Sequence, residues 1–322
     1  MQLIEAVPNV SEGRCKNILR TLADTLRAHR QIKLLSADSS PAANRTVFTL
    51  VGSPQSVSNA LFDFIKQATQ LIDMRLQHGV HPRLGTVDVC PLVPLQNISL
   101  QETAQWAAQL GKRVGEELKI PVYLYEAAAT RATCQNLADI RRGEYENLKE
   151  KLRILPPDFG PKEFSAKIAH TGACIIGARP FLIAFNINLN TRDERPAKQI
   201  AAKIRQRGGG LPGVKAIGWY IDDFKCAQVS CNITDFHVAP LPAVFEVCKK
   251  EAAELGVQAT GCELVGLIPL DAMLQAGHYY RPLETDMHTL VQTVVERLNL
   301  SEVKPFNPHE QILEIKAGLT QL

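Results

Sequence analysis

Apolar and polar positions along the 322-residue chain follow two periods, and the periods recur in one order twice. Alternating or short continuous apolar runs predict strands at 3–10, 32–37, 45–51 and 87–93. Between them, three- and four-residue spacing predicts helices. The first follows Ser11-Glu12-Gly13 and carries Ile18, Leu19, Leu22 and Leu26 on one face. The second starts at Ser53 and carries Val57, Ala60, Leu61, Phe64 and Ile65. The order is β-α-β-β-α-β, a ferredoxin-like unit. A helix at 100–118 and a strand at 122–125 are appended to it.

The second copy opens with the run 181–189, largely apolar on both faces, and a helix at 193–207 with Ala197, Ile200, Ala201 and Ile204 in phase. Strands at 214–221 and 226–233 meet across the turn Asp222-Asp223; a helix at 239–255 and a strand at 264–270 complete it. The pattern therefore predicts an α+β protein of two ferredoxin-like subdomains, divided at 1–178 and 179–322. Residues 154–179 open with Pro156-Pro157-Asp158-Phe159-Gly160-Pro161 and read as linker plus loop. Ligand pockets favour domain interfaces, so a cleft shared by the two halves is expected. A helix at 284–298, residues 305–308 and a short final helix read as a packing appendage.

Composition narrows the function classes. A hydrophobic share of 45% and a charged share of 21% are those of a globular protein. The net charge of +3 is too weak to imply nucleic-acid binding and suits an anionic small molecule. No apolar run is long enough to span a bilayer, and Met1-Gln2-Leu3-Ile4-Glu5 lacks a signal-peptide pattern. Eight cysteines include no CxxC pair, the nearest two being Cys226 and Cys231, so free thiols in a reducing cytoplasm are expected and no metal.

Candidate chemistry concentrates in His78-Gly79-Val80-His81-Pro82-Arg83-Leu84-Gly85, directly before the apolar run 86–95. Imidazole titrates nearest neutrality and is the usual proton carrier, and Gly79, Pro82 and Gly85 shape the loop at a strand mouth. A solvated surface loop fits the same residues. Asn9 and Ser11 suit a helix cap, whose free N–H groups also attract carboxylates. The segment Asp38-Ser39-Ser40-Pro41-Ala42-Ala43-Asn44-Arg45 reads as a long inter-strand loop. Its Asp38 can orient an imidazole or receive an ammonium, and its Arg45 can clamp a carboxylate; a hydrogen-bonded turn with a solvated arginine is the alternative. His78-x-x-His81 lacks a third metal ligand. Arg207-Gly208-Gly209-Gly210 follows a helix instead of preceding one, so it reads as a C-cap and turn, not a phosphate loop.

Several segments together resemble the formiminotransferase domain of formiminotransferase-cyclodeaminase and the standalone glutamate formimidoyltransferases. They include 7–13, Asn44-Arg45-Thr46-Val47, His81-Pro82-Arg83, Asp88-Val89-Cys90-Pro91, Arg142-Gly143-Glu144-Tyr145-Glu146, Asp158-Phe159-Gly160-Pro161, Gly177-Ala178-Arg179 and Gly218-Trp219-Tyr220. They keep their order across nearly the whole chain. The resemblance implies two ferredoxin-like subdomains with facing sheets, and formimidoyl transfer between glutamate nitrogen and N5 of tetrahydrofolate, a co-substrate. It places the catalytic histidine at His81 and opens the folate loop at Gly160-Pro161, with Lys162 and Phe164 beside them.

Residue type then suggests Asp38 as orienter, and Asn9, Asn44, Arg45 and Arg83 as substrate-binding groups. A cytoplasmic homodimer without cyclodeaminase activity is expected. Two departures stand out: Val10 replaces an expected Phe, and 164–172 is longer than usual and lacks a proline. A related formyltransferase and a non-catalytic folate-binding paralogue are the alternative readings.

Overall fold

The computed structural model describes residues 1–41, 43–79, 81–222 and 224–322. Ala42, Val80 and Asp223, which the sequence places in two loops and a turn, lie outside the described residues. The chain forms two compact units, Met1–Pro180 and Phe181–Leu322, each α+β.

In the first unit β1 (Leu3–Ala6) and β2 (Asn9–Val10) act as one strand interrupted at Val7-Pro8. Both pair antiparallel with the same two neighbours, β4 (Arg45–Gly52) and β5 (Val87–Gln96). Strand β3 (Ile32–Ser40) is the edge beyond β4. On the other side β5 pairs parallel with β7 (Cys174–Ala178), which pairs parallel with β6 (Val122–Glu126). Helices α1 (Lys16–Arg27), α2 (Pro54–Leu71) and α3 (Leu100–Leu118) cover one face. Leu22, Leu26, Leu61, Phe64, Leu110 and Val114 there pack on Ile4, Phe48, Leu50, Leu92 and Ile176. Phe64 meets Phe48 edge-on at 5.1 Å, and truncating such a buried ring costs about 3–5 kcal/mol. Local signals agree, since Ser53 caps α2 ahead of Pro54 and Ser99 with Glu102 forms a capping box on α3.

Four expectations need correction here. The segment 154–179 is no mere linker, because its β7 is a strand of the sheet, paired between β5 and the edge strand β6. Its Cys174, Ile176 and Ala178 face the helix-covered core, while Ile175 faces a second core with Tyr123, Tyr125, Ile140, Leu148 and Ile168. The latter three come from α4 (Leu137–Arg141), α5 (Leu148–Ile154) and α6 (Ala166–Thr171). A strand buried on both faces shows no alternation, so periodicity missed it. The long 164–172 loop contains α6, capped by Ser165. Strand β3 continues through Ser40, so Asp38 and Ser39 pair with Val47 and Thr46 and the connection shrinks to residues 41–44. Helix α1 starts only at Lys16, and Ser11 does not cap it: its hydroxyl donates to the Gly85 carbonyl at 2.8 Å. Glu12 shapes the turn before the helix, its Oε1 accepting from the N–H groups of Arg14 (2.7 Å) and Cys15 (2.9 Å).

The second unit runs β8 (Ile183–Leu189), α7 (Glu194–Ile204), β9 (Val214–Ile221), β10 (Cys226–Ile233), α8 (Leu241–Glu254), β11 (Ala259–Val265). Its sheet order is β11-β8-β10-β9, every pair antiparallel. Then come α9 (Leu270–Tyr280), α10 (Met287–Arg297), α11 (Pro308–Gln311) and α12 (Leu313–Ala317). The last strand sits five residues before its predicted start, and α9 was not predicted. Polar residues hid β11: Gly261 and Glu263 share its non-core face with Asn186 and Asn188 of β8 and Gln228 of β10. These side chains satisfy one another, Gln228 donating to Asn188 at 2.8 Å and accepting from Trp219 at 3.1 Å. The run 181–189 is therefore apolar on one face only.

Candidate active site around His81

The chain between α2 and β5 carries the histidine loop, pinned from both ends. After the turn Met74–Leu76, the Gln77 carbonyl accepts from Arg83 Nη2 at 2.9 Å. Asn44, at φ +49°, donates from Nδ2 to Gln77 Oε1 at 2.6 Å and to the His78 carbonyl at 3.1 Å. Its Oδ1 accepts from the Gly13 N–H at 3.0 Å. Gly79 is needed at this approach, since a Cβ there would stand 2.3 Å from the Ala43 carbonyl oxygen. Arg83 is buried and pairs with Glu146 at 2.5 Å and Glu144 at 3.5 Å. The loop is thus tied to the β3–β4 connection on one side and to residues 144–146 on the other.

Behind the loop lies a buried charge cluster. Arg45 opens β4 and Asp88 lies on β5, the strands on either side of β2. Asn9 on β2 accepts at Oδ1 from Arg45 Nε at 2.9 Å and donates to the Val7 carbonyl at 2.7 Å. Arg45 Nη1 donates to Asp88 Oδ2 at 2.8 Å. Arg141, the last residue of α4, donates to both Asp88 oxygens, at 3.4 Å from Nε and by a shorter bond from Nη2. The Leu84 N–H completes the set at 2.8 Å. Burial works to raise the Asp88 carboxyl, but the Arg141 and Arg45 guanidiniums outweigh it and hold the group below the usual carboxylate range.

His81 sits against this cluster. Its Nδ1 is 2.8 Å from the Pro82 carbonyl oxygen and 3.1 Å from Arg45 Nη1. The carbonyl can only accept and the guanidinium can only donate, so the two contacts ask opposite roles of Nδ1, and Nε2 is the ring nitrogen free of both. Arg45 then acts on the ring as a charge. Burial first, and Arg45 next, push the imidazole down to about 4 from its ordinary 6.5. The ring is therefore neutral at physiological pH, and its Nε2 has no partner among the described residues.

The other predicted site residues divide into groups. The structure brings Asn9, Arg45 and His81 together, while Asn44 and Arg83 hold the loop. Asp38 is exposed on the edge strand, and the described contacts bring Arg45, not Asp38, to His81. His78 is exposed. Asp158 fixes the turn before the predicted folate loop: its Oδ2 accepts from the Leu124 N–H at 2.8 Å and from Arg131 at 3.2 Å. Gly160, at φ +82°, packs so that a Cβ would stand 2.2 Å from the Ile120 carbonyl oxygen. Pro161 is half-buried, and Lys162 and Phe164 are exposed. Asp88 and Arg141 were missed. A lone carboxylate inside the run 86–95 was a usable signal for Asp88; nothing local marks Arg141. Among the described residues no group of three His, Cys, Asp or Glu side chains could hold a metal ion, and no helix is long and apolar enough to cross a membrane.

Residues 3–179 match the formiminotransferase domain, N-terminal subdomain, and residues 184–317 match the formiminotransferase domain. The chain belongs to the formiminotransferase domain family. Its relatives include the formimidoyltransferase-cyclodeaminase of Sus scrofa, 43% identical over 327 residues covering 97% of this chain and 59% of that protein. The glutamate formimidoyltransferase of Streptococcus pyogenes serotype M1 is 40% identical over 97% of this chain and 98% of its own length. That of Thermoplasma acidophilum is 42% identical over 88% and 93%. The formiminotransferase chain thus spans about three fifths of the longer curated relatives and nearly all of the shorter ones.

Proposed function

We propose that this formiminotransferase-family chain is a glutamate formimidoyltransferase, moving a formimidoyl group between glutamate nitrogen and N5 of tetrahydrofolate. The relatives named for that activity, matched over nearly their full length, support the substrates. The observation that carries the chemistry is His81, neutral beside Arg45 with Nε2 uncommitted.

In the direction from formimidoylglutamate, the lone pair of N5 attacks the formimidoyl carbon and a tetrahedral adduct forms. N5 becomes cationic, and because its lone pair is shared with an aromatic ring in the free folate, the cation is a strong acid. A weak base therefore suffices, and His81 Nε2 takes the proton. The imidazolium gives it to the glutamate nitrogen as the carbon–nitrogen bond breaks, so the ring returns neutral. The cationic Arg45 beside it favours that return. In the reverse direction the same ring takes the proton of the attacking glutamate amine.

Gly160, Pro161, Lys162 and Phe164 form the proposed folate segment, where the exposed Phe164 ring suits a pteridine face and Lys162 a carboxylate tail. The antiparallel order β11-β8-β10-β9 supports a ferredoxin-like reading of the second unit. The eight free thiols support a cytoplasmic enzyme, and sedimentation tests the homodimer included in the proposal.

The deciding experiment offers tetrahydrofolate with formimidoylglutamate and, separately, formylglutamate, and follows glutamate release and the N5-substituted folate. Turnover with the formimidoyl donor is expected. Turnover with formylglutamate alone, or with neither donor, overturns the proposal.

A further inference from the structure

Two guanidiniums face one carboxylate in the cluster behind His81, which leaves one positive charge unmatched while the imidazole is neutral. The acids of the neighbouring loops are committed elsewhere: Glu144 and Glu146 to Arg83, and Glu12 to the Arg14 and Cys15 N–H groups and to Gln77. Arg45 spends Nε on Asn9 and Nη1 on Asp88, and Arg141 spends Nε and Nη2 on Asp88. That leaves Arg45 Nη2 and Arg141 Nη1 without a partner among the described residues. Neither side chain is sealed, 9% of the Arg45 side chain and 13% of the Arg141 side chain remaining exposed. Asp88 itself cannot turn away, since it is wholly buried and its Oδ1 is held by the Leu84 N–H.

The geometry points to a carboxylate seat shared by Arg45 and Arg141, in which the α-carboxylate of the amino-acid substrate neutralises the surplus charge beside His81. A buried guanidinium with open N–H groups gains most from a carboxylate, which takes charge-assisted hydrogen bonds and removes an unmatched charge. The α-carboxylate is favoured over the side-chain carboxylate because a single carbon separates it from the nitrogen that must reach His81. Asp88 acts as the positioning residue that holds the two guanidiniums side by side. Arg141 thereby becomes a substrate-binding residue from a helix otherwise concerned with packing.

The inference rests on the proposed transferase reading, and its test separates the two. Glutamate and its two amides are compared as competitors: glutamine keeps the α-carboxylate, isoglutamine replaces it. Binding is read by thermal shift, which needs no turnover, and by competitive inhibition. In the wild-type protein glutamine should bind at least about 10-fold more tightly than isoglutamine, the scale of one charged hydrogen-bond pair. In Arg141→Gln that preference should collapse towards one, and KM for formimidoylglutamate should rise about 10- to 100-fold, with partial recovery in Arg141→Lys. A fall in kcat with KM and the preference unchanged would show that Arg141 only props Asp88, which overturns the seat. If Arg141→Gln does not fold, equal wild-type binding of the two amides overturns it alone. Thermal shifts that show the preference without any transfer would uphold the seat and sink the transferase reading.

Discussion

Arg45 Nη1 stands 3.1 Å from His81 Nδ1, and the same nitrogen donates to Asp88 at 2.8 Å. One guanidinium nitrogen therefore joins a fully buried carboxylate to the ring that carries the proposed chemistry. The consequence is electrostatic. Asp88 fixes where the positive charge sits, and that charge adds to burial, the larger cause, in keeping His81 neutral. Arg141 shares the load on Asp88, so the carboxylate never has to choose between holding its place and holding Arg45.

Replacing His81 removes the proton carrier without emptying a core. His81→Ala should lower kcat roughly 100-fold or more, within the range general-base groups contribute, while the melting temperature holds. The exposed His78, replaced by Ala, should have a much smaller effect. Near wild-type turnover in His81→Ala would remove the ring from the mechanism, and a larger loss at His78 would exchange their roles.

The acidity of His81 gives a signed pH dependence. With the folded ring at about 4 and the ordinary value at 6.5, the unfolded chain binds the extra proton first as pH falls. The contribution of His81 to stability is therefore complete above 6.5 and is lost as pH drops from there towards about 4. The acid limb of kcat/KM should likewise lie near 4, and Arg45→Gln should move it upward by removing the nearest positive charge. Ring titration by proton NMR, with His81→Gln to assign the signal, checks both. A wild-type midpoint near 6.5 would show that neither burial nor Arg45 governs the ring.

Asp88→Asn should be the costliest single change in the cluster. It keeps the volume but leaves two guanidiniums facing each other across a neutral amide. Removing one partner of a buried ion pair typically costs about 3–5 kcal/mol, and Asp88 is wholly buried. Denaturant unfolding measures the loss directly. A change below about 1 kcal/mol would mean that the cluster is hydrated and the pairing of little weight.

Much of this architecture was legible wherever one face of an element is buried and the other is wet. Helices α2 and α3 announced themselves through spacing and caps, and the strand order of both copies through alternation. Legibility failed where that contrast vanished. Strand β7 is covered on both faces, and β11 carries Glu263 and Gly261 on a face buried by polar contacts. Ser11 showed how a residue type misleads: its hydroxyl found the Gly85 carbonyl 74 positions away instead of the next helix. The site divided along the same line. His81, Arg45 and Asn9 lie in segments whose residue types already suggested chemistry. Arg141 reaches Asp88 from 53 positions downstream, and only the packing of α4 brings it there.

The proposed folate segment has one rigid and one open half, and hydrogen exchange can tell them apart. The N–H groups of Asp158 and Phe159 donate to the Val122 carbonyl at 2.8 and 3.2 Å, and Gly160 is locked against Ile120. Those two amides should exchange slowly with no ligand present. Lys162, Glu163, Phe164 and Ser165 are exposed, and their amides should exchange fast. Saturating folinic acid should then slow exchange at 162–165 and along α6 while leaving Asp158 and Phe159 unchanged. That split separates a binding segment from a mere brace, because a brace is protected whether or not the ligand is there. Fast exchange at 162–165 that persists under saturating folinic acid would show that folate docks elsewhere on the chain, and Phe164 would lose its role as the stacking ring.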